Sequence, residues 1–372
     1  MAEIVQIESV ELQPFTLALS PRPLTVLILA RDEADVLPDT LEAVRAGLTA
    51  GDRLCVVADH CRDATARVAR RAGAAVYPRE AGAAGKGAAL HWWLNQTADD
   101  SPDDEGLVLL DADSRPGPGL IDTLRARLAR GEAAVQARLE PLLADDRPMP
   151  RLAAFSETVE QCVFDAFKAR RGWPVRLHGT GMAFTRSALT PAAAKLTTSA
   201  EDAELTLLLA ASGVPITLAL EACVIDPKPR DTRGVVRQRA RWFRGQAEIL
   251  RRHPRTILAL LGRGPAGWSL LTSIFLQPKS IFVPVKACLA LVAFTAWSSG
   301  LGSGWLVPAA LLALALAVDA AGLTAGLILT PHRRQVAAAL VAWPAFLALW
   351  VASVALSLAA RRGWERARPS AP

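Results

Sequence analysis

The segment GLVLLDADSRPGPGL (residues 106–120) joins a short apolar run to two carboxylates, Asp111 and Asp113, that are separated by one residue. The apolar run predicts a buried strand, and the Ser, Arg, Pro and Gly residues that follow predict a turn. Two carboxylates at this spacing repel each other, so they need either a counter-charge or full solvation. A bound metal cation would supply the first, and an exposed turn would supply the second.

Upstream of this segment, apolar runs alternate with stretches of helical spacing. The predicted strands are LTVLILA (24–30), RLCVVAD (53–59), AAVYP (74–78) and GLVLLD (106–111). The predicted helices between them are LPDTLEAVRAGL (37–48), ATARVARRAG (64–73) and GKGAALHWWLNQ (85–96). Strands that are apolar throughout and alternate with helices are typical of a parallel sheet with both faces covered. The sequence therefore predicts an α/β domain.

Three of these strands end in acidic residues. Asp32 and Glu33 follow the first strand, Asp59 ends the second, and Asp111 and Asp113 close the fourth. The carboxyl ends of parallel strands share one edge of the sheet, and ligands bind in the crevice outside that edge. The sequence therefore predicts a binding site there.

The composition changes from Arg255 onward. This part holds ten Lys and Arg residues against only Asp319 and Glu365, a net charge of +8, whereas the whole chain carries +6. It also contains three apolar segments, at 280–297, 304–330 and 336–360. The last two are long enough to cross ~30 Å of hydrocarbon. We expect a cytoplasmic domain with an interfacial helix in residues 1–255 and a transmembrane helical region in 256–372, with the number of spans left open.

Two features of this region have alternative interpretations. GPAGWSLLTSIFL (264–276) fits an interfacial helix or the first half of a crossing broken by proline. Asp319 lies inside a predicted span, where it is either functional or part of a buried pair. Arg333–Arg334 and Arg361–Arg362 flank one span, so both pairs are cytoplasmic only if a segment is re-entrant.

Composition also argues against several classes of protein. The basic excess lies beside the apolar segments, so it indicates a membrane partner rather than a nucleic acid. The five cysteines are widely spaced and form no CxxC pair. This pattern fits a reducing compartment and argues against a disulfide framework or a zinc site. The N-terminal stretch FTLAL (15–19) is too short for a signal peptide.

Seven segments occur in the order found in family 2 glycosyltransferases with the A-type fold. They are ILARDEADVL, VVADHCRDATARVARRAGAAV, GKGAAL, LLDADSRP, HGTGMAF, SAEDAELTLLL and QRARWF. The chain resembles this family over residues 24–245. Its C-terminal segments resemble those of the membrane-bound members, which include cellulose- and hyaluronan-synthase-like enzymes and lipid-glycosylating enzymes. The resemblance implies a Rossmann-like domain that binds a nucleotide sugar.

The resemblance assigns the acidic strand ends to the donor and to a metal. Asp113 matches the direct ligand of Mg²⁺ or Mn²⁺ in the DxD motif, whereas Asp111 is expected nearer the ribose or bound to the metal through water. Such a cation would neutralise the diphosphate leaving group. Glu33 and Asp59 match contacts to the base and the ribose, and Lys86 lies at a helix start suited to phosphate or base.

These donor assignments have structural alternatives. Glu33 could belong to the surface beside an ion pair of Arg31 and Asp32, and Lys86 could be solvated. Asp63, in the segment after the second strand, could cap the following helix.

The resemblance assigns the acceptor side to two further motifs. Asp202 matches the general base that takes the proton from the acceptor hydroxyl, and Glu201 precedes it. As the first residues of a helix, both acids could instead serve only as a cap or as partners of the helix dipole. Gly179, Thr180 and Gly181 match the segment that shapes the acceptor side of the donor sugar, where glycines allow close backbone approach.

Gln238, Arg241 and Trp242 match the QxxRW motif and are expected on one helical face. An arginine can hold a diphosphate with two parallel hydrogen bonds, and a tryptophan ring can stack on a sugar. The alternative is an amphipathic helix that lies on the membrane, and the two roles are compatible.

Together these assignments predict an inverting, metal-dependent glycosyltransferase in the inner (plasma) membrane. We expect a UDP-sugar donor, a lipid, lipid-linked or polysaccharide acceptor, membrane lipids as partners and no nucleic acid. Few spans leave little protein for a polysaccharide channel, which favours a lipid acceptor over a processive synthase. A non-catalytic nucleotide-sugar-binding protein would lack a base or a metal ligand, and neither is missing. A nucleotidyl- or phosphoryl-transferring enzyme usually has a basic glycine-rich segment where ARDEAD is acidic.

Overall fold

The computed structural model describes residues 23–101, 105–142, 147–227, 232–276, 279–330 and 333–359. In these residues eight strands form one sheet. The strands are β1 (Leu24–Ala30), β2 (Arg53–Asp59), β3 (Ala75–Arg79), β4 (Gly106–Asp111), β5 (Arg115–Pro116), β6 (Ala134–Leu142), β7 (Met182–Thr185) and β8 (Ile216–Pro227).

The α-helices of the first part of the chain lie between or beside these strands. They are α1 (Leu37–Ala46), α2 (Thr65–Arg71), α3 (Lys86–Gln96), α4 (Leu120–Ala129), α5 (Pro148–Thr158), α6 (Ala166–Arg170), α7 (Arg186–Ala193) and α8 (Glu201–Ala211). A π-helix (Val159–Asp165) joins α5 to α6.

The remaining helices follow β8. They are α9 (Thr232–Arg252), α10 (Pro254–Leu261), α11 (Pro265–Phe275), α12 (Lys279–Ser298), α13 (Leu306–Leu329), α14 (Arg333–Ala339) and α15 (Trp343–Ala359). Short 3₁₀ turns at Ser303–Trp305 and Leu340–Ala342 precede α13 and α15.

The predicted first half of the domain is confirmed. The strands β3, β2, β1 and β4 lie side by side in that order and are all parallel. Val26 and Ile28 of β1 pack in a core with α1, α2 and α4. Leu27 packs in a second core on the opposite face with α3, α7 and α8. Because β1, β2 and β4 are buried on both faces, they are almost entirely apolar, which is why the sequence predicted them.

The second half of the sheet was not predicted, and it is mixed. β7 is antiparallel to β4 and to β6, and the short β5 is antiparallel to β8, whereas β6 and β8 are parallel. β8 carries exposed and half-buried residues among its buried ones, so it lacks the continuous apolar signal of the first half. The expectation of a parallel sheet, which was based on β1–β4, is therefore correct for those strands.

Three helical segments of the described chain are long and apolar enough to cross a membrane. They are Ile281–Ser298, Ser303–Leu329 and Arg333–Leu358, and they match the three predicted segments. Lys286 of α12 forms an ion pair with the buried Asp319 of α13. Asp319 is therefore part of a buried pair, which was one of its two interpretations. The basic pair Arg361–Arg362 lies outside the described residues.

One of these segments packs on the α/β domain through two glycines. A Cβ added to Gly322 of α13 would lie 2.4 Å from Cζ of Phe164, and one added to Gly326 would lie 2.4 Å from Cγ2 of Val159. Phe164 and Val159 both belong to the π-helix. Small residues four positions apart allow this close approach between helices.

The segment 264–276 forms α11, which packs with α10 on α8. Leu270, Leu271 and Ile274 share one buried cluster with Ala203 and Leu207 of α8. An 11-residue helix is too short to cross a membrane. Helices α10 and α11, which follow residue 255 in the sequence, therefore pack on the α/β domain.

Candidate active site

A cavity of about 470 Å³ lies at the carboxyl-end edge of the sheet. Eleven of the thirteen predicted site residues line it: Glu33, Lys86, Asp111, Asp113, Gly179, Thr180, Glu201, Asp202, Gln238, Arg241 and Trp242. Its wall also includes residues of α5, of the π-helix and of α15. One cavity therefore connects the acidic strand ends to a helix that is apolar enough to cross a membrane.

Lys86 supplies a counter-charge to the DxD pair. Its Nζ lies 2.5 Å from Oδ1 of Asp111, and only 18% of the lysine side chain is exposed. Burial lowers the pKa of Lys86, but the charges of Asp111 and Glu201 outweigh it and raise that pKa above its usual value. This contact argues against two of the alternatives, a freely solvated DxD turn and a freely solvated Lys86. The neutralisation of Asp111 by a lysine was not predicted from the sequence.

Thr180 holds the start of the DxD turn in place. Its Oγ1 accepts a hydrogen bond from the amide of Asp111 at 3.1 Å and donates one to Oγ of Ser114 at 3.0 Å. Its carbonyl accepts a hydrogen bond of 3.0 Å from Nε2 of Gln136. The HGTGMAF segment thus helps to fix the backbone of the DxD turn.

The two glycines of this segment differ in their surroundings. Gly179 has a φ of +89° and lines the cavity, where an added Cβ would lie 3.8 Å from Oδ2 of Asp202. Gly181 has a φ of +64°, and an added Cβ would lie 2.6 Å from Cγ2 of Val224 in β8. Gly181 does not line the cavity. Backbone conformation and packing in the sheet explain why this position needs a glycine.

Glu201 and Asp202 begin α8 and face the cavity. Nη2 of Arg176 lies 3.8 Å from Oδ2 of Asp202. The pKa of Glu201 is raised, because burial and the charge of Asp202 outweigh the opposing effect of Lys86. The start of α8 therefore brings two acids, Glu201 and Asp202, close to two cations in the wall of the cavity, Lys86 and Arg176.

Asp59 is buried and is not among the residues that line this cavity. It is 1% exposed, forms an ion pair with Arg79, and accepts hydrogen bonds from Nδ1 of His60 at 2.9 Å and from the amide of Gly85 at 3.0 Å. Gly85 immediately precedes Lys86 at the start of α3. The contact observed for Asp59 thus anchors the turn that presents Lys86, and its predicted role in nucleotide binding stays a prediction.

The acids of the neighbouring loops bind backbone amides. Asp63 accepts hydrogen bonds from the amide of Thr65 at 2.9 Å and from the amide of Ala34 at 3.0 Å, which fits its capping interpretation. Asp32 accepts one from the amide of Arg62 at 2.6 Å. These two acids brace the loops after β1 and β2.

The QxxRW residues share one face of α9, as predicted, and that face lines the cavity. Trp242 is 36% exposed, and its ring centroid lies 6.5 Å from that of Trp350 in α15. The motif therefore lies where the α/β domain meets the last apolar segment.

The comparisons with known proteins agree with this geometry. Residues 21–245 match the profile of the family described as Glycosyltransferase like family 2, which covers more than half of the chain. The chain belongs to this family. The resemblance inferred from the seven segments is thereby confirmed for the family as a whole.

More specific relatives of this family 2 chain are distant. No curated protein matches it significantly. A mannosyltransferase from Pyrobaculum calidifontis in complex with GDP-Man and Mn²⁺ is 20% identical, with 93% of this chain and 90% of that chain covered and a TM-score of 0.49. A glucosyl-3-phosphoglycerate synthase from Mycobacterium tuberculosis in complex with Mn²⁺, UDP and its product is 24% identical, with 53% and 69% covered and a TM-score of 0.37. Similarities at this level do not indicate the donor or the acceptor.

A buried ionic network behind the cavity of this family 2 chain was missed in the sequence. Asp165 of the π-helix is fully buried and lies 2.7 Å from Nζ of Lys168 and 3.4 Å from Nε2 of His178. Its pKa is lowered, because the charge of Lys168 and the hydrogen bond with His178 outweigh burial. Glu160 and His178 line the cavity. The available signal was the segment VEQCVFD, in which two acids, Glu160 and Asp165, lie among apolar residues and Gln161.

Proposed function

We propose that this family 2 chain is an inverting glycosyltransferase that moves a sugar from a UDP-sugar to a lipid or lipid-linked acceptor at a membrane. The observation that carries the proposal is the cavity that is charged at the strand ends and apolar at α15. Carboxylates and cations suit a nucleoside diphosphate sugar, and the apolar wall suits a hydrocarbon chain.

In the proposed reaction, Asp202 is the general base. It takes the proton of the acceptor hydroxyl while that oxygen attacks the anomeric carbon. The bond between the anomeric carbon and the diphosphate oxygen breaks, its electron pair leaves with the diphosphate, and the configuration inverts. Arg176, 3.8 Å from the carboxylate, helps to hold Asp202 in position.

The leaving diphosphate needs positive charge. Lys86 and Arg241 supply two cations in the wall of the cavity. Asp111 and Asp113 are hard oxygen donors in the same wall, so they fit Mg²⁺ or Mn²⁺. By the resemblance to the DxD motif, we assign the direct contact with the metal to Asp113, while Asp111 pairs with Lys86. A cation bound there would neutralise charge on the leaving group.

We also propose that the three apolar segments insert into the inner membrane and that the α/β domain faces the cytoplasm. All five cysteines are free, which fits a reducing compartment. The chain should remain in the membrane fraction after carbonate extraction. A protease-protection assay that places the α/β domain outside the cytoplasm would refute this orientation.

The central experiment uses the detergent-purified full chain and a panel of sugar nucleotides. Release of nucleoside diphosphate is measured with Mg²⁺, Mn²⁺ or excess chelator, each with and without membrane lipid extract as acceptor. We expect release from a UDP-sugar that depends on the metal and increases with the extract. Binding of sugar nucleotides without turnover under every condition would favour the non-catalytic alternative.

A further inference from the structure

Arg239 lies on α9 between Gln238 and Arg241 of the QxxRW motif. It packs against aromatic rings of α15. Its side chain is buried at 5% exposure and lines the cavity beside residues of α15. Its guanidinium carbon lies 3.7 Å from the ring centroid of Trp350 and 4.7 Å from that of Phe346. Two rings of α15 therefore hold the guanidinium in place.

Two hydrogen-bond donors at this position lack acceptors. Nη1 of Arg239 and Nε1 of Trp350 are buried, and neither has a hydrogen-bond partner among the described residues. Burial lowers the pKa of Arg239 to about 9, and the charge of Glu157 offsets only part of that effect. A buried cation and an adjacent buried N–H group without acceptors are costly to maintain, and a bound anion would satisfy both.

We infer that Arg239 and the indole N–H of Trp350 form a subsite for the phosphate of the acceptor, whose hydrocarbon lies against the apolar side chains of α15. The inference rests on the proposed function and adds the chemical class of the acceptor headgroup. A phosphate has enough acceptor oxygens for the guanidinium and the indole together. Lys86 and Arg241 already face the strand ends, so Arg239 is available to a second anion.

Binding of defined probes to the full chain in neutral detergent tests this subsite. The probes are farnesyl phosphate, farnesol and inorganic phosphate, and binding is measured by isothermal titration calorimetry. We expect farnesyl phosphate to bind at least about tenfold more tightly than farnesol, a difference of ~1.4 kcal/mol. Inorganic phosphate that competes as well as farnesyl phosphate would indicate a free-anion site and overturn the lipid assignment.

The variant Arg239→Gln should abolish the preference for farnesyl phosphate over farnesol. Arg252→Gln is the matched control, because Arg252 is an exposed arginine on the same helix. An unchanged preference in Arg239→Gln overturns the proposal, and a lowered Tm in that case would identify Arg239 as a structural link between α9 and α15. Should Arg239→Gln fail to fold, Trp350→Phe keeps a ring for the guanidinium and removes only the N–H donor. It should weaken the preference severalfold, and no change would overturn the proposal.

The binding test of this subsite and the turnover test of the proposed function can fail independently of each other. Donor turnover without lipid is measured in the wild-type chain as release of nucleoside diphosphate. If the wild-type chain turns over no sugar nucleotide, the proposed function fails, whereas the preference for farnesyl phosphate still tests the subsite directly.

Discussion

The two edges of the sheet hold buried charge in opposite ways. At the edge where the strands begin, Asp52 accepts hydrogen bonds of 2.7 Å from both Nη atoms of Arg125. Glu105 accepts one of 2.8 Å from Nε of Arg186 and forms an ion pair with Arg53. Burial alone would raise the pKa of each acid, but these hydrogen bonds lower both pKa values, that of Asp52 to about 2.

At the edge where the strands end, burial prevails over pairing for Glu201 and Arg239, although not for Lys86. The pKa of Glu201 is raised and that of Arg239 is lowered, in each case chiefly by burial. A charge with incomplete pairing costs stability but is available to a ligand. The comparison indicates that the first edge stabilises the fold and the second serves the chemistry. Substitutions at the two edges should therefore separate stability from activity.

The largest effect is expected for Asp202→Asn. The variant keeps the size of the side chain but removes the base, so transfer should fall by at least ~100-fold. Nucleotide binding and Tm should remain near wild type, because the carboxylate is proposed to act on the acceptor. Asp99→Asn, an exposed site in the loop after α3, serves as the control. Near-normal transfer by Asp202→Asn would make the acid a helix cap and direct attention to Glu201.

The second prediction tests the opposite edge. Glu105→Gln leaves the buried Arg186 without its carboxylate and should lower the free energy of unfolding by about 3–5 kcal/mol. The KM for the donor should not change in the protein that remains folded. Glu80→Gln at an exposed position should leave stability unchanged. A raised KM with unaltered Tm in Glu105→Gln would contradict the division between the edges.

The third prediction concerns the metal. Asp113→Asn should weaken nucleotide binding in the presence of Mg²⁺ or Mn²⁺ by about 10–100-fold, the range typical for loss of metal-site groups. In excess chelator the variant and the wild type should bind nucleotide equally. Calorimetric titration with UDP measures both arms, and an equal loss in the two conditions would argue against Asp113 as the metal ligand.

The smallest effect is a pH dependence at the stabilising edge. Because the pKa of Asp52 is lowered from 3.8 to about 2, its ionised form stabilises the fold above pH 3.8, and that contribution is lost as the pH falls through 2. Asp52→Asn should therefore cost about 2 kcal/mol at pH 7. The difference in Tm from wild type should shrink below about pH 4. A difference that is constant from pH 7 to pH 3 would exclude the charge as its cause.

The sequence predicted the parts of this molecule whose signal is local. Strands β1, β2 and β4 are buried on both faces, so their residues alone revealed them, and their acidic ends were correctly expected at one edge. β8 was missed because its exposed residues interrupt the apolar pattern. The motif residues were found, yet the pairing of Lys86 with Asp111 depends on a contact between residues 25 positions apart.

The surroundings of individual buried side chains were the hardest feature to predict from the sequence. Arg239 reads as one more basic residue of an amphipathic helix until α15 is placed against it. Asp59 ends a strand like Asp111 does, but the side chain of Asp59 is covered by Arg79 and its neighbours. Such differences arise from tertiary packing, which is not encoded in any single segment.

The glycine contact between α13 and the π-helix would make the protein sensitive to the thickness of a bilayer around α13. Helices tilt when the hydrocarbon layer is thinner than their apolar length. Gly322 and Gly326 leave no side chain to absorb such a tilt, and the π-helix they touch carries Glu160 and Gln161, which line the cavity. With α13 inserted in a bilayer as proposed, we expect bilayer thickness to affect the shape of the cavity, so the same chain should transfer sugar at different rates in lipids of different acyl length.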